Sequence, residues 1–288
     1  PEQLEEALAK YGDKAKGIVI NSPNNPTGET YDTPEREKLM GVIAKHAPKD
    51  FLAVLDNPYG KIVYDGKPPL RGETEKRLFD AGRIVEARSF AKEYGLAGLR
   101  VGYLVSKNKD IIKQVGMWNE KSGGLAVDHQ NRAQAVLLFG DEFIERNVAD
   151  LRAKRDVMAQ DVSKLKFARM ATPKGAIYGW IDFSDLKGKS VPAELTLSGQ
   201  SGFVINSPAD ARRYLLEANN IVSVPGVPFG APESPASAND WHFRLCFSGD
   251  AKDMQKAINN LAANEQKIGN PGQRIAGSDD QPGRAAVR

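Results

Sequence analysis

Four short strand-like runs, alternating with helical segments, constrain the fold of this chain most. They cover residues 17–21, 51–56, 83–88 and 99–105. Apolar runs of this length are typical of strands buried on both faces of a sheet. Between the first two, Thr33 as N-cap and Pro34 in the first turn mark a helix that reaches about Lys45. This alternation predicts an α/β fold with mostly parallel strands.

A second domain is predicted from the change of pattern after the four runs. The pattern is helical from Asp110 to about Leu165, with a glycine-rich break at residues 122–124, and the stretch from Asp141 onward is expected to bridge two domains. The next signals along the chain are a strand at 175–183, a polar insert at 187–202, a helix at 208–219, a strand at 242–247 and a helix capped by Asp250. We expect a large domain at 1–145, a smaller α+β domain at 146–264 and a disordered tail at 265–288, which has almost no large apolar side chain.

Composition excludes several classes of partner. The 288 residues carry a net charge of +3, which gives no reason to expect nucleic acid or an anionic membrane. The single cysteine, Cys246, cannot form a disulfide within the chain and favours a reducing, cytoplasmic compartment; we expect it to be buried in a strand. No apolar run approaches the roughly 20 residues of a membrane helix. The three histidines are scattered, so no metal site is expected.

Polar residues stand at or just after the ends of the predicted strands. Asn25, Asp56 and Ser89 each hold such a position, and ligands of α/β sheets gather at the carboxyl ends of the strands. Asn25 and Asp56 also have ordinary interpretations, as a turn residue and as a helix cap. Tyr59, three residues after Asp56, is equally explained as a packing aromatic. Lys92, three residues after Ser89, is by itself a solvated lysine.

Taken together, these residues match the needs of pyridoxal phosphate (PLP). PLP chemistry requires a lysine for the aldehyde, an anion beside the ring nitrogen and donors to the phenolic oxygen. Its phosphate needs hydroxyls and cations. Lys92 is the candidate for the aldehyde and Asp56 for the ring nitrogen. Asn25 and Tyr59 are the candidate donors to the phenolic oxygen, and Ser89 and Arg100 are the candidate phosphate ligands.

The chain resembles the class I/II family of PLP-dependent aminotransferases of fold type I. Residues 24–28 are similar to the family's Asn-Pro-Thr-Gly motif, and Asp56 with Tyr59 to its Asp-x-x-Tyr pair. Ser89 and Lys92, followed by Arg100, resemble its Ser-x-x-Lys run, and 36 residues separate Asp56 from Lys92. Further matches are the turn at 225–230 and the strand at 243–247, which carries Arg244. The likeness extends from residue 1 to about residue 264.

The resemblance implies an activity and roles for these residues. It implies a PLP-binding large domain, in which a mostly parallel sheet lies between helices, and a smaller C-terminal domain. Lys92 forms the Schiff base and moves the α-proton, while Arg244 and Asn25 bind the substrate, Arg244 by clamping the α-carboxylate. At the level of the residues alone, Arg244 is also explained as an arginine paired at a strand edge. The reaction is transfer of an amino group from an L-amino acid to a 2-oxo acid by a homodimer.

Two alternatives stay open at the level of the sequence. The residues quoted hold the cofactor but do not choose the bond that breaks, so a PLP-dependent lyase or decarboxylase fits them as well. The chain begins with Pro1 and a short helical segment, as the interior of a protein does. The family's glycine-rich phosphate loop and ring-stacking aromatic precede the Asn-Pro-Thr-Gly motif. We therefore expect an N-terminally truncated chain, for which an inert fragment or a regulatory aminotransferase-like module is the other interpretation.

Overall fold

The computed structural model describes residues 1–197, 200–230 and 241–269. It divides into two compact units, one of Pro1–Ala153 with Pro173–Tyr178 and one of Lys154–Thr172 with Gly179–Arg288. The predicted boundary at 145/146 differs from this division, because residues 146–153 and 173–178 fall in the first unit. A boundary inside the continuous helix Asp141–Val162 leaves no composition signal in the sequence. Residues 173–178 join the first unit through long-range backbone hydrogen bonds, from the amides of Lys174 and Ala176 to the carbonyls of Gly28 and Ile62.

The first unit is built on a four-stranded sheet. Its strands are β1 (Gly17–Asn21), β2 (Leu52–Asp56), β3 (Ile84–Ser89) and β4 (Gly102–Ser106), in that spatial order. β1, β2 and β3 are parallel, and β4 is antiparallel to β3. The predicted α/β fold with a mostly parallel sheet is therefore confirmed. β4 begins at Gly102 rather than at Leu99, because Ala97–Leu99 forms a 3₁₀ turn and Arg100 is left-handed, with φ of 53°.

Helices precede, separate and follow these strands along the chain, and the helix predicted from Thr33 to about Lys45 is confirmed as Thr33–His46. They are α1 (Glu2–Tyr11), α2 (Thr33–His46), α3 (Glu73–Asp80), α4 (Phe90–Glu93), α5 (Lys109–Lys121), α6 (Val127–Phe139) and α7 (Asp141–Val162). The N-cap of α2 is Asp32 rather than Thr33: its carboxylate accepts a hydrogen bond from the amide of Glu35, whose side chain binds Asp32 in return. Ile20, Met40, Phe51 and Ile84 contribute to the apolar core on which this unit rests.

The register of the sheet brings polar residues to one edge. Asn21 pairs with Asp56, and Asp56 pairs with Ala87 on β3, two residues before Ser89. In parallel strands, residues in register point to the same face of the sheet. The polar ends of β1 and β2 are therefore neighbours, as the sequence predicts.

Among its described residues, the second unit has a small sheet, the helices α8 and α9 and the C-terminal part of α7. Its elements are β5 (Arg169–Met170), β6 (Tyr178–Asp182), β7 (Ser190–Val191), β8 (Phe203–Val204), α8 (Pro208–Asn219), β9 (Val224–Pro225), β10 (His242–Cys246) and α9 (Ala251–Asn264). The sheet order is β5-β6-β10-β9, and β7 pairs with β8. Asp250 caps α9, accepting a hydrogen bond from the amide of Lys252 at 2.7 Å.

Two expectations for this unit are corrected. Cys246 is exposed, because the alternation along β10 buries Phe243 and Leu245 and turns Cys246 outward. Residues 265–269 are not a disordered tail: Glu265 is buried and its carboxylate accepts the amides of Lys166 and Phe167 at 2.8 and 3.0 Å. The rest of the predicted tail, 270–288, lies outside the described residues. Across the described ranges, no helix is long and apolar enough to cross a membrane.

Candidate active site

Asp56 is the central charged group at the carboxyl edge of the first sheet. It is half-buried at the end of β2, and the side-chain amide of Asn21 donates to its Oδ2 at 3.0 Å and to its backbone oxygen at 3.0 Å. Burial raises the pKa of Asp56, and the hydrogen bond from Asn21 opposes this rise. Within the described ranges no arginine, lysine or histidine forms an ion pair with Asp56. A half-buried carboxylate of this kind is suited to receive a cationic ligand.

Asn25 is linked to this carboxylate because both residues form hydrogen bonds with the side chain of Asn21. The backbone amide of Asn25 donates to Oδ1 of Asn21 at 2.7 Å. The loop closes at Gly28, which has φ of 71° and whose carbonyl accepts the amides of Lys174 and Gly175 at 3.0 and 2.9 Å. A Cβ at Gly28 would lie 2.6 Å from Cβ of Pro173, so the close approach requires glycine. The structure thus places Asn25 and Asp56 around one side chain, Asn21, which sequence reasoning misses.

Tyr59 follows β2 and is paired with another tyrosine. Its hydroxyl lies 2.9 Å from that of Tyr178, and the two rings meet edge to face with centroids 5.8 Å apart. Both residues are buried. The sequence predicts Tyr59 as a donor to a cofactor oxygen and does not single out Tyr178. Tyr178 lies in a run of aromatic and apolar residues typical of a buried strand, and this pattern carries no signal for a tyrosine pair.

Ser89 and Lys92 lie at the end of β3. Ser89 is the last residue of the strand and the N-cap of α4, where its hydroxyl accepts the amide of Ala91 at 3.1 Å. Lys92 follows within α4 and is half-buried. Its ammonium forms no hydrogen bond or ion pair with any described residue, whereas Arg88 and Glu93 on either side are ion-paired at 3.3 Å. The amine of Lys92 is therefore available to a ligand.

Arg100 is placed differently from its predicted role. It is exposed, and its guanidinium donates to the carbonyl of Ala97 at 3.3 Å. The backbone runs close to the site, since the amide of Phe90 donates to the carbonyl of Val101 at 3.2 Å. Among the described residues, no contact joins the Arg100 side chain to Ser89. Ser89 and Arg100, the two predicted phosphate ligands, are therefore close in the fold, but their side chains are not in contact.

A buried ion network lies under the same edge of the sheet. Glu86 accepts from Asn57 at 3.0 Å and pairs with Arg88 at 2.8 Å. Burial acts to raise the pKa of Glu86, but Arg88 and the Asn57 hydrogen bond outweigh it and the pKa is lowered. For Glu93, burial dominates over Arg88 and raises the pKa. Through the ion pair between Arg88 and Glu93, this network links the end of β3, which carries Ser89, to α4, which carries Lys92.

Arg244 lies in the second unit, in the middle of β10. It is half-buried, and its guanidinium carbon is 5.1 Å from the centroid of the Phe229 ring. Its predicted position on a late strand is thus confirmed, while its role as a carboxylate clamp stays a prediction. In the described part of the chain, no cluster of three histidine, cysteine, aspartate or glutamate side chains could hold a metal ion.

Comparison with known sequences and structures defines the class of protein. The sequence profile of the family "Aminotransferase class I and II" matches residues 1–261, and the chain belongs to this family. It is similar to a probable aspartate/prephenate aminotransferase of Rickettsia bellii, with 28% identity over 258 residues, 89% of this chain and 59% of the relative. An aspartate aminotransferase of Rhizobium meliloti is 26% identical over 91% of this chain and 58% of the relative.

Solved structures show the same fold. The crystal structure of the aspartate aminotransferase from Rhizobium meliloti superposes with a TM-score of 0.73 at 24% identity, covering 92% of this chain and 62% of that protein. A Thermus thermophilus aspartate aminotransferase double mutant gives 0.71 at 23% identity, covering 90% of this chain and 60% of that protein. The expected resemblance is thus confirmed. The chain spans about three fifths of the length of the relatives it matches.

Proposed function

We propose that the protein is a PLP-dependent aminotransferase that uses Lys92 to hold its cofactor. The observation that carries the proposal is Asp56: a half-buried carboxylate with a pKa raised by burial and no cation among the described residues beside it. A protonated pyridine nitrogen supplies the cation that this carboxylate lacks. Membership of the aminotransferase family supports the same cofactor.

Each site residue has a task in this proposal. PLP, when bound, supplies an aldehyde that reacts with amines and a protonated ring that withdraws electrons. Lys92 provides the amine for that aldehyde and then, once released, carries the substrate's α-proton on Nζ. Asp56 keeps the ring nitrogen protonated, and Asn25 and Tyr59 bind the phenolic oxygen. Ser89 and Arg100 bind the phosphate, which for Arg100 requires the exposed side chain to turn toward Ser89.

The substrates proposed are an L-amino acid and a 2-oxo acid. In the second unit, Arg244 binds the α-carboxylate, since a guanidinium matches a carboxylate with two parallel hydrogen bonds. Relatives are named aspartate and aspartate/prephenate aminotransferases, which makes aspartate the first amino donor to test. Release of glutamate from aspartate and 2-oxoglutarate distinguishes a transaminase from a lyase or decarboxylase, which releases ammonia or carbon dioxide instead.

Trapping of the cofactor tests the assignment of Lys92. Borohydride reduces an imine between PLP and a lysine to a stable amine, so the modified peptide can be identified by mass. We expect the label on Lys92 in the wild-type chain and no label at this position in Lys92→Ala. The control Lys109→Ala, at the start of α5, should label as the wild type does. A label on another lysine in the wild-type chain would contradict the assignment.

We also propose that the protein forms a homodimer through α5 and α6. Trp118 on α5 is 68% exposed and Phe139 on α6 is 82% exposed, beside exposed Leu137 and Leu138. Exposed apolar surface of this kind marks interaction sites. The double variant Trp118→Ser with Phe139→Ser should sediment as a monomer, whereas Leu70→Ser, at an exposed leucine outside these helices, should not change the sedimenting mass.

A cytoplasmic location is proposed from the single cysteine, and cell fractionation tests it.

A further inference from the structure

Asn21 uses every hydrogen-bonding position of its side chain. Its Nδ2 donates to Oδ2 and to the backbone oxygen of Asp56, both at 3.0 Å. Its Oδ1 accepts the backbone amide of Asn25 at 2.7 Å and Nδ2 of Asn24 at 3.3 Å. A carboxamide has two N–H donors and two acceptor lone pairs. All four are occupied, and three of them bind residues of the proposed site: two bind Asp56 and one binds Asn25.

These contacts allow only one orientation of the Asn21 amide. If the side chain were turned over, its NH₂ group would face two N–H donors, and its oxygen would face the carboxylate and the carbonyl of Asp56. Such an arrangement loses four hydrogen bonds and places like partial charges together. The amide therefore has to present N–H to Asp56 and oxygen to Asn25.

We propose that Asn21 is a positioning residue of the active site, which holds the Asp56 carboxylate in its ionised form and ties it to the backbone of Asn25. One side chain then sets both the group that binds the ring nitrogen and the residue that binds the ring oxygen. The proposal rests on the function proposed above for Asp56 and Asn25. Asn21 itself touches neither substrate nor cofactor in this scheme; it acts through its two neighbours.

The surroundings of Asp56 leave this task to Asn21. Asp56 is flanked in register by Asn21 on β1 and by Ala87 on β3. Burial and the hydrogen bond from Asn21 are the two influences on its pKa, and no charged side chain of the described residues contributes. The side chains on the neighbouring strand positions are thus an amide and a methyl group. Of these, only the amide can stabilise a negative charge.

Titration of Asp56 in the cofactor-free chain tests the proposal. Asn21→Asp keeps the size of the side chain and its acceptor for Asn25, but replaces the donor to Asp56 by a second carboxylate. Two carboxylates in contact share a proton, so the pKa of the Asp56 site should rise and its proton affinity should increase by about tenfold or more. The measurement is the pH midpoint of the Asp56 ¹³Cγ resonance. Asn119→Asp is the matched control, because it adds the same charge at an exposed position of α5, without a hydrogen bond to Asp56 or Asn21.

A second pair of variants covers the possibility that Asn21→Asp does not fold. Asn21→Ala removes the donor without adding charge and should raise the Asp56 midpoint, whereas Asn119→Ala, at an exposed position of α5, should leave it in place. Equal midpoints in the Asn21 and Asn119 variants would overturn the proposal. Because no cofactor is present, this result is independent of the borohydride experiment: a failure to label Lys92 contradicts the proposed function and leaves the contact between Asn21 and Asp56 standing.

Discussion

The hydroxyl of Tyr59 lies 2.9 Å from the hydroxyl of Tyr178, 119 residues further along the chain. Both side chains are buried, at 4% and 6% exposure. Replacing either tyrosine by phenylalanine should lower the free energy of unfolding by roughly 0.5–1.5 kcal/mol, the usual net value of such a bond. In the double variant the two losses should not add, because the second substitution removes a bond already broken. Urea denaturation measures all three, and Tyr11→Phe, at an exposed tyrosine, should behave as the wild type.

Gly28 is predicted to be intolerant of any side chain. Its φ of 71° and the 2.6 Å between its ideal Cβ and Cβ of Pro173 both oppose alanine. Gly28→Ala should therefore destabilise the chain by roughly 1–3 kcal/mol. Gly116→Ala is the matched control in the middle of α5, where a Cβ meets open space; there alanine should stabilise by roughly 0.5–1 kcal/mol. Thermal unfolding of both proteins shows whether the two changes have opposite signs.

Glu75 should be the most costly carboxylate to remove. It is fully buried and pairs with Arg36 at 2.7 Å and Arg71 at 3.2 Å. Glu75→Ala leaves Arg36 as a nearly buried charge without this partner, with an expected loss of roughly 3–5 kcal/mol. Burial raises the pKa of Glu75 in spite of both arginines, so the neutral Glu75→Gln should cost less than alanine. Asp50→Ala removes the exposed pair with Lys16 and should leave urea denaturation unchanged. A loss for Glu75→Ala no larger than for Asp50→Ala would contradict this account.

Asp56 should reduce stability at neutral pH. Burial raises its pKa in the folded chain. Below about 3.9, the ordinary pKa of an aspartate, the group is neutral in both states and has no effect. As the pH rises from there through the raised folded pKa, ionisation favours the unfolded chain, and stability is lost. Asp56→Asn should therefore be more stable than the wild type at pH 7, and this advantage should vanish near pH 3.

The same substitution should weaken binding of PLP, since an amide does not keep the ring nitrogen protonated. Urea denaturation at several pH values measures the stability, and a PLP titration measures the binding. An Asp56→Asn protein that is less stable than the wild type at pH 7 would contradict the assignment of burial as the dominant influence on the Asp56 pKa.

Much of the large sheet could be predicted from the sequence, because each buried strand carries its own local signal. The ends of β1, β2 and β3 lie within a residue of the predicted ones, and Asp56 and Ser89 lie at the same edge for that reason. The pairing of Tyr178 with Tyr59 could not be predicted in this way, because it depends on tertiary packing between segments far apart in the sequence. Asn21 is hidden for another reason: before Ser22 and Pro23 it resembles an ordinary turn residue, and its role depends on strand register.

For Arg100, the sequence predicts where the residue lies but not where its side chain points. Its position after Ser89 and Lys92 follows from the sequence spacing, but the direction of its side chain depends on a left-handed backbone, with φ of 53°. Arginine has no local preference for this conformation. Local pattern therefore locates the residue, and only the three-dimensional structure shows that its guanidinium is in solvent.

The pairing of Asn21 with Asp56 in a parallel ladder has a consequence for how the site forms. A slip of one residue between β1 and β2 would send one of the two side chains to the opposite face of the sheet. The contact between them therefore exists only in the native register of β1 and β2, and it forms when these two strands pair. Assembly of the carboxylate site and closure of the sheet are then a single cooperative event, so amides of β1 and β2 and the Asp56 environment should become protected from solvent exchange together.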